Sequence, residues 1–532
     1  MDWTSGYVAE IDYTYGYYRE LQAGLMDFAL LLAWQKPMGK GTDSKPLRYL
    51  ELGYGQGLSL NIHAAASQGE FWGTDFNPAQ AAGAAEMANA SGSNLFLLDA
   101  SFEELAQRDD LPLFDVIALH GIWSWISDRN RQLIVEIIRR HLRPGGVVYI
   151  SYNCTPGWSA AMPLRHLLSL HAELAEGDAK GIVGKIDGAL AFAQQVVESG
   201  AQFFKANPAV AERLKKIAEQ NRNYLAHEYF NADWHPMPFS DLAKWLEQAK
   251  LAFAASAHLL DQVEAIHLPE SAAKMLAEQR HPVLRETLRD YLVNQQFRRD
   301  LFVRGPRRVA VIERMESLRS LRLVPLTSPK HVSMKVQGAL GEASLQEQIY
   351  RPILETLEAK FLETDFSFER PTAAVSLNEL ELALSQGPTS ITFPQLLQAL
   401  TVLLAQGHLG IAQDVQTQHA VQARCDRLNL WIANRSREHS DIQFMASPVT
   451  GGGVVVGRFE QLFLLCKHQG IGPPKDQANW VWDLLKRQGQ RLLKEGKAIE
   501  SEADNIAELA QQAHQFAEER ETRLKYLRIS LG

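Results

Sequence analysis

Between residues 46 and 153 the chain alternates short apolar runs with helix-like stretches, and that beat limits the fold more than any other feature. The runs end at Leu52, Trp72, Leu98, Leu119 and Ile150. RYLEL, FDVIAL and GVVYISY carry β-branched and aromatic residues bounded by Gly, Asp or Pro, which predicts buried parallel strands. LSLNIHAAASQ, PAQAAGAAEMANA and DRNRQLIVEIIRRHL have helical spacing, and the last ends in Arg139, Arg140 and His141 before a Pro144-Gly145-Gly146 stop. The alternation predicts a doubly wound α/β sheet with right-handed crossovers, whose ligands bind at the carboxyl ends of the strands.

The residues just after each strand therefore carry the information. The first strand runs into Glu51-Leu52-Gly53-Tyr54-Gly55-Gln56-Gly57. Glycines there let the backbone turn tightly and approach a ligand, and the following helix N-terminus suits a carboxylate. A dinucleotide fingerprint would put its third glycine at position 58, which is Leu58. About twenty residues on, WGTDFNP places Asp75 where an acid accepts both hydroxyls of a ribose. LLDAS places Asp99 to meet the exocyclic amine of an adenine, and FDVIALHGIWSW offers His120, Trp123 and Trp125. Any one acid could be a helix cap. Three on consecutive strand ends predict a ligand with an adenosine and a carboxylate.

In order and spacing, ELGYGQG, TDFNP, LLDAS, FDVIALHG and LRPGGVVYISYN resemble the successive motifs of class I S-adenosylmethionine-dependent methyltransferases. The resemblance implies a Rossmann-like methyltransferase sheet and S-adenosyl-L-methionine as cofactor. It implies that Gly53, Gly55 and Gly57 wrap the methionine part, with Glu51 in the same set. Asp75 with Phe76 then holds the ribose, Asp99 with Ala100 frames the adenine, and His120 is a further cofactor contact. Position 54 is often small or Cys in this superfamily and is Tyr here.

The flanks extend the resemblance. IDYTYGYYREL puts Tyr13, Tyr15, Tyr17 and Tyr18 within six residues. They form either an amphipathic start packed on the first helix or an aromatic lid over the sulfonium, a cation that ring faces attract. Residues 157–226 are short of strand formers and predict a helical insertion or a dimerisation element. Leu251–Ser256 predicts a further strand of the sheet, and FRRDLFVRG a final edge strand. Together with YNCTPGW and HEYFNADWHPMPFSDL, these segments resemble bacterial methyltransferases with a methyltransferase regulatory domain, whose best understood relatives methylate lysines of outer-membrane proteins.

At about 150 residues per domain, 532 residues suggest three or four units. The expected division is a methyltransferase domain over 1–308 with its insertion at about 157–226, a mixed α/β middle domain over 309–415, and a mainly helical domain over 416–532. In the middle domain, a helix then a short strand in TFPQLLQALTVLLAQGHLGIA is reminiscent of a winged-helix module. Its charge is not basic, which favours a protein-contact or purely structural role over DNA binding. The Gly-rich turn in ASPVTGGGVVVGRF lacks the Lys-Ser/Thr of a phosphate loop. A formal charge of 54 − 62 = −8 argues against general nucleic-acid binding. Cys154, Cys425 and Cys466 are far apart and lack metal-ligand spacing, so neither a disulfide framework nor a Cys-based zinc site is expected. With no signal-peptide pattern and no apolar run long enough to span a bilayer, the expectation is a cytoplasmic protein without membrane insertion.

Methyl transfer from a sulfonium needs a positioned acceptor more than a strong base. His120, Tyr152, Asn153 and Tyr17 are the candidate catalytic residues; Tyr15, Tyr18, Trp123 and Trp125 are candidates for lining the acceptor. His120-Gly121-Ile122-Trp123 stands where an Asn-Pro-Pro-Tyr motif would be, which counts against methylation of planar amides or adenine. The leading acceptor is a protein lysine, and the alternatives are a small metabolite or a binding module that senses the cofactor without turnover. A homodimer through the helical insertion is also expected.

Overall fold

The computed structural model describes residues 14–38, 46–175, 181–363, 374–386 and 390–532. Five strands follow the sequence beat: β1 (Leu47–Leu52), β2 (Gly69–Asp75), β3 (Leu95–Asp99), β4 (Phe114–Leu119) and β5 (Leu142–Asn153). With β6 (Leu251–Ser256) and β7 (Phe297–Arg304) they form one seven-stranded sheet, ordered β3-β2-β1-β4-β5-β7-β6. The first five pair in parallel, whereas β7 runs antiparallel to both β5 and β6. This corrects one expectation. The edge strand is β6, and the FRRDLFVR segment is inserted beside β5, with Arg298 and Asp300 buried along it.

Local chemistry sets the helices. After a short turn of 3-10 helix at Arg19–Leu21, α1 (Ala23–Leu32) lays Leu25, Phe28 and Leu31 on one face of the sheet. The helix α2 (Leu58–Ala66) leaves the glycine loop, and α3 (Pro78–Ser91) begins at Asn77, whose side chain accepts from Ala79 N and Gln80 N. A capping box at Ser101 and Glu104 starts α4 (Phe102–Ala106), and Ser127 caps α5 (Asp128–His141). α4 and α5 cover the opposite face, where Ile134, Ile137 and Ile138 meet Leu50, Ile117 and Ile150.

The described residues after β5 are mainly helical, as expected, over Met162–Leu174 and from Gly181 to Tyr229, and they pack around their own core of Leu168, Ile186, Ala189 and Leu214. In the middle third, the short strand β8 (Arg322–Pro325) precedes a hairpin of β9 (Lys335–Gly338) and β10 (Gly341–Ser344). β8 itself pairs antiparallel with β11 (Val375–Ser376) and β12 (Leu409–Ile411). The last third is mainly helical, with a hairpin of β13 (Phe444–Ser447) and β14 (Gly452–Val455) where a Gly-rich turn was expected, and a second, two-residue hairpin of β15 (Leu493–Lys494) and β16 (Lys497–Ala498).

These parts share cores. All nine residues of α2 are buried: Leu60 and Ala64 face the sheet, while Leu58, Ile62, Ala65 and Ala66 face the C-terminal third. Helix Val415–Arg435 lies along α2 and α3, with Arg424 donating to Ser67 O and Arg427 to Ser91 O. Burying both sides of α2 explains why its sequence is apolar or small nearly all round. The helix that opens at the glycine loop is thus clamped by the C-terminal third. Among the described residues, no helix is long and apolar enough to cross a membrane, and no cluster of three or more His, Cys, Asp or Glu could hold a metal ion.

Candidate active site

At the ends of β1, β2 and β3 the backbone folds into a crown. Gly53, Gly55 and Gly57 all have left-handed φ, at 72°, 57° and 70°. A side chain at Gly53 would meet Ile122 Cδ1 at 2.4 Å, and one at Gly57 would meet Ala84 Cβ at 2.6 Å. Only glycine satisfies both the conformation and the space. Gly53 N donates to Thr74 O (2.8 Å), Gly55 N to Asp75 Oδ2 (2.8 Å) and Asn77 N to Asp75 Oδ1 (3.0 Å). One buried carboxylate therefore braces both loops. Ala100 N closes the third loop onto Asp75 O at 3.1 Å. Tyr54 is accommodated by Gly73 on β2, where any Cβ would come within 2.7 Å of its ring.

Charge in the crown is uncompensated. Burial and the nearby Asp75 push Glu51 up to about 8, and its Oε2 has no hydrogen-bond partner among the described residues. Burial also raises Asp75, to about 6, against hydrogen bonds from Asn77 and Gly55. Asp99 is exposed beside Ala100, and Phe76 is half-buried. At α2 no side chain caps the N-terminus, in contrast to Asn77 at α3. Two acids short of a cation, an uncapped helix start and a cradle that any Cβ would fill fit a ligand with an amine, a carboxylate and a polyhydroxylated sugar.

Next to the crown, at the ends of β4 and β5 and the start of β7, lies a polar cluster. His120 stacks on Tyr18, ring centroids 3.7 Å apart, and its Nδ1 meets Tyr149 Oη at 2.9 Å. Ser151 Oγ accepts from Gly121 N (2.8 Å) and lies 3.4 Å from the same Nδ1. Burial pushes His120 down to about 3, so the ring is neutral. Arg299 pairs with Ser151 across the sheet and with Glu20 at 3.3 Å, while His258 Nδ1 lies 3.8 Å from Glu20. Burial alone would raise Glu20, but His258 and Arg299 outweigh it and hold the carboxyl at about 2.

Several expected site residues lie elsewhere. Tyr152 is on the opposite face of β5, donating to Asp300 Oδ2 at 2.9 Å. Asn153 accepts from Trp158 Nε1 (3.2 Å) and Trp123 is fully buried with Nε1 on Met237 Sδ (3.3 Å). Trp125 sits over the helical insertion, 6.2 Å from Trp234. Tyr15 lies under the Arg435 guanidinium, and Tyr17 is bonded to His63 Nε2 (3.2 Å) against the C-terminal hairpin. Tyr13 is outside the described residues. Conversely, Glu20, Tyr149, Ser151, His258 and Arg299 join His120 without having been singled out.

A glycine-and-acid crown on a sheet of this order defines a methyltransferase of the Rossmann-like type, with S-adenosyl-L-methionine as its cofactor. Residues 50–148 match the family described as "Methyltransferase domain", and residues 221–304 the "Predicted methyltransferase regulatory domain". An uncharacterized Synechocystis protein is 39% identical over 532 residues, the whole of both chains. An uncharacterized Rickettsia prowazekii protein is 25% identical over 260 residues, 48% of this chain and 45% of the other. PKMT2 from Rickettsia typhi, solved in complex with AdoHcy, shares the fold with a TM-score of 0.64 at 15% identity, over 98% of this chain and 100% of that one. The chain belongs to the class I S-adenosylmethionine-dependent methyltransferases that carry a methyltransferase regulatory domain.

Proposed function

We propose that the methyl acceptor is a lysine ε-amine of a protein, received at the His120 cluster. The observation that carries this reading is a neutral imidazole, fixed by Tyr149 and Ser151 and covered by the Tyr18 ring, beside the crown. In this reading Gly53, Gly55, Gly57 and Glu51 hold the aminoacyl end of the cofactor, Asp75 and Phe76 the ribose, and Asp99 with Ala100 the adenine. When bound, the sulfonium supplies an activated methyl carbon, so the new N–C bond forms as the C–S bond breaks and its electron pair stays on sulfur. Burial of the acceptor next to positive charge lowers its pKa and delivers it as the neutral amine. A ring held near 3 is too weak a base to deprotonate an ammonium. The part of His120 is then to accept a hydrogen bond from the amine and aim its lone pair, with Tyr18 walling the approach. The likeness in fold to PKMT2 supports a protein acceptor.

Radiolabelled methyl from the cofactor, added with the enzyme to a whole lysate, is expected in protein and, by mass mapping, on lysine nitrogen. Label confined to small molecules would replace this reading with metabolite methylation. Tight cofactor binding without label anywhere would leave a sensing module.

The same reading includes a methyltransferase unit over 1–308, a middle unit over 309–415, a helical unit over 416–532 and a cytoplasmic site of action, supported by three free, buried cysteines. It also includes a homodimer through the insertion, supported by exposed Leu170, Leu174 and Val183 on its helices. Sedimentation is expected to give a dimer that Leu174→Glu shifts to monomer; a wild-type monomer at micromolar concentration removes the dimer from the reading.

A further inference from the structure

An extended chain sends successive side chains to opposite sides. Residues 14–18 have no regular secondary structure, and Tyr18 itself is extended, at φ −113° and ψ 100°. That alternation parts Tyr17 from Tyr18; a 3-10 turn follows at Arg19–Leu21, and the strap as a whole divides its contacts between two partners. On one side Tyr18 stacks on His120 and Glu20 meets Arg299 and His258. On the other side Tyr17 packs 4.9 Å from the Phe444 ring, Arg19 donates to Ala405 O at 3.2 Å, and Gln22 donates to Thr450 O. Ser59 on α2 stitches the middle, accepting from Tyr18 N at 2.8 Å and donating to Gly16 O at 3.2 Å.

The seat for Tyr17 is built from the C-terminal hairpin. A Cβ at Gly452 would come within 2.5 Å of Tyr17 Oη, and one at Gly453 within 3.0 Å of three ring atoms. Neither glycine has a left-handed φ, unlike Gly451 beside them. Their missing side chains make room for the ring. Turn conformation does not require glycine at either position.

We propose that the β13–β14 hairpin is a positioning element for methyl transfer: by seating Tyr17 it fixes the neighbouring Tyr18 over His120 and Glu20 on Arg299. Residues 444–455 thereby set the geometry around His120, more than 320 positions earlier in the chain. Tyr17 is a positioning residue, acting through Tyr18. The consequence for turnover rests on the transfer reading above. The consequence for His120 does not.

The test is Gly452→Ala, with Gly452→Ala/Tyr17→Phe as its rescue, in full-length protein labelled at histidine Cε1. The double substitution removes the hydroxyl that the new methyl would strike; the next atoms, of Gln22, are 3.3 Å away. His120 is followed by its NMR titration, assigned with His120→Gln. Tyr18, Tyr149, Ser151, Phe297, Glu20 and Arg299 face or influence its ring. In Gly452→Ala the ring should lose its cover and titrate at least about one unit higher, toward the ordinary 6.5. Losing one stacked pair should lower label transfer into the lysate protein fraction about tenfold. S-adenosylhomocysteine affinity should stay within about twofold, because the crown is untouched, and the double variant should restore both His120 and turnover. If Gly452→Ala does not fold, Phe444→Leu withdraws packing from Tyr17 instead of adding bulk, with the same expectation. A His120 titration that does not move in either variant overturns the proposal, as does a shifted His120 that Tyr17→Phe fails to restore. A His120 that shifts and is rescued, in a protein whose wild type transfers no methyl, upholds the strut and overturns the transfer reading.

Discussion

Replacing Arg298 with alanine is expected to cost about 3–5 kcal/mol of stability at neutral pH, seen as a lower midpoint of the first urea transition. Arg298 is buried with three carboxylates: Asp290 Oδ1 at 2.6 Å, Asp300 Oδ2 at 2.7 Å and Glu286 Oε2 at 2.9 Å. Its guanidinium also lies over the Phe239 ring at 4.5 Å. Arg285 also pairs with Glu286 at 3.0 Å, at the rim, but Arg298 is the cation that all three acids share. Burial pushes Asp290 up to about 7, even against the attraction of Arg298. Removing the cation strands the group, and helix Pro282–Val293 and β7, which the arginine joins, should separate first.

The pH dependence gives the mechanism a sign. Between the ordinary carboxyl range and about 7, folded Asp290 holds a proton that the unfolded chain has released, so stability falls as pH rises through that window. Without Arg298 the three acids lose their shared partner, and Asp290 and Asp300, already raised by burial, shift further up. The deficit of Arg298→Ala should therefore be largest near pH 8 and shrink toward pH 5, where protonation neutralises the cluster. A deficit independent of pH would mean that lost packing on Phe239, not stranded charge, is what matters.

Parity along strands explains what the sequence did and did not disclose. The crown was legible because its determinants are local: a glycine at each tight turn and an acid at each strand end. The His120 cluster is assembled from five distant segments, so only its β4 member and Tyr18, from the run of tyrosines, could be picked out. Period two nevertheless offered a signal. Tyr149 and Ser151 share a face that Tyr152 cannot share, which is why Tyr152 meets Asp300 and not His120. The same parity separates Tyr17 from Tyr18, so a run of tyrosines is not one lid. In FRRDLFVR, charges within an otherwise apolar strand put Arg298 and Asp300 on one face and Arg299 on the other. That pattern marks a strand inside a sheet with polar business on both sides, not a strand at an edge. What no local pattern could show was its antiparallel insertion between β5 and β6, since strands buried on both faces look alike in either direction.

Asp75→Ala is expected to weaken cofactor binding roughly ten- to hundredfold, the loss of charge-assisted hydrogen bonds worth about 1.5–3 kcal/mol. If Asp75 receives the ribose hydroxyls, its carboxylate does so while bracing Gly55 and Asn77. Losing it slackens the crown as well as the ligand contact. Asp75→Asn keeps the volume and one acceptor and should fall between the two. The wild type should also show a two-step pH profile by calorimetry with S-adenosylhomocysteine. Burial holds Asp75 at about 6 and Glu51 at about 8, so both are increasingly protonated as pH falls. Sugar hydroxyls and an ammonium are both held best by ionised carboxylates. Affinity should therefore rise from pH 5 through 6 and again toward 8, with proton release on binding in the upper step. Glu51→Gln should abolish that upper step and leave the lower one. An Asp75→Ala protein that binds as tightly as wild type would move the ribose to other residues, and a profile flat between pH 5 and 8 would show that neither acid meets the ligand.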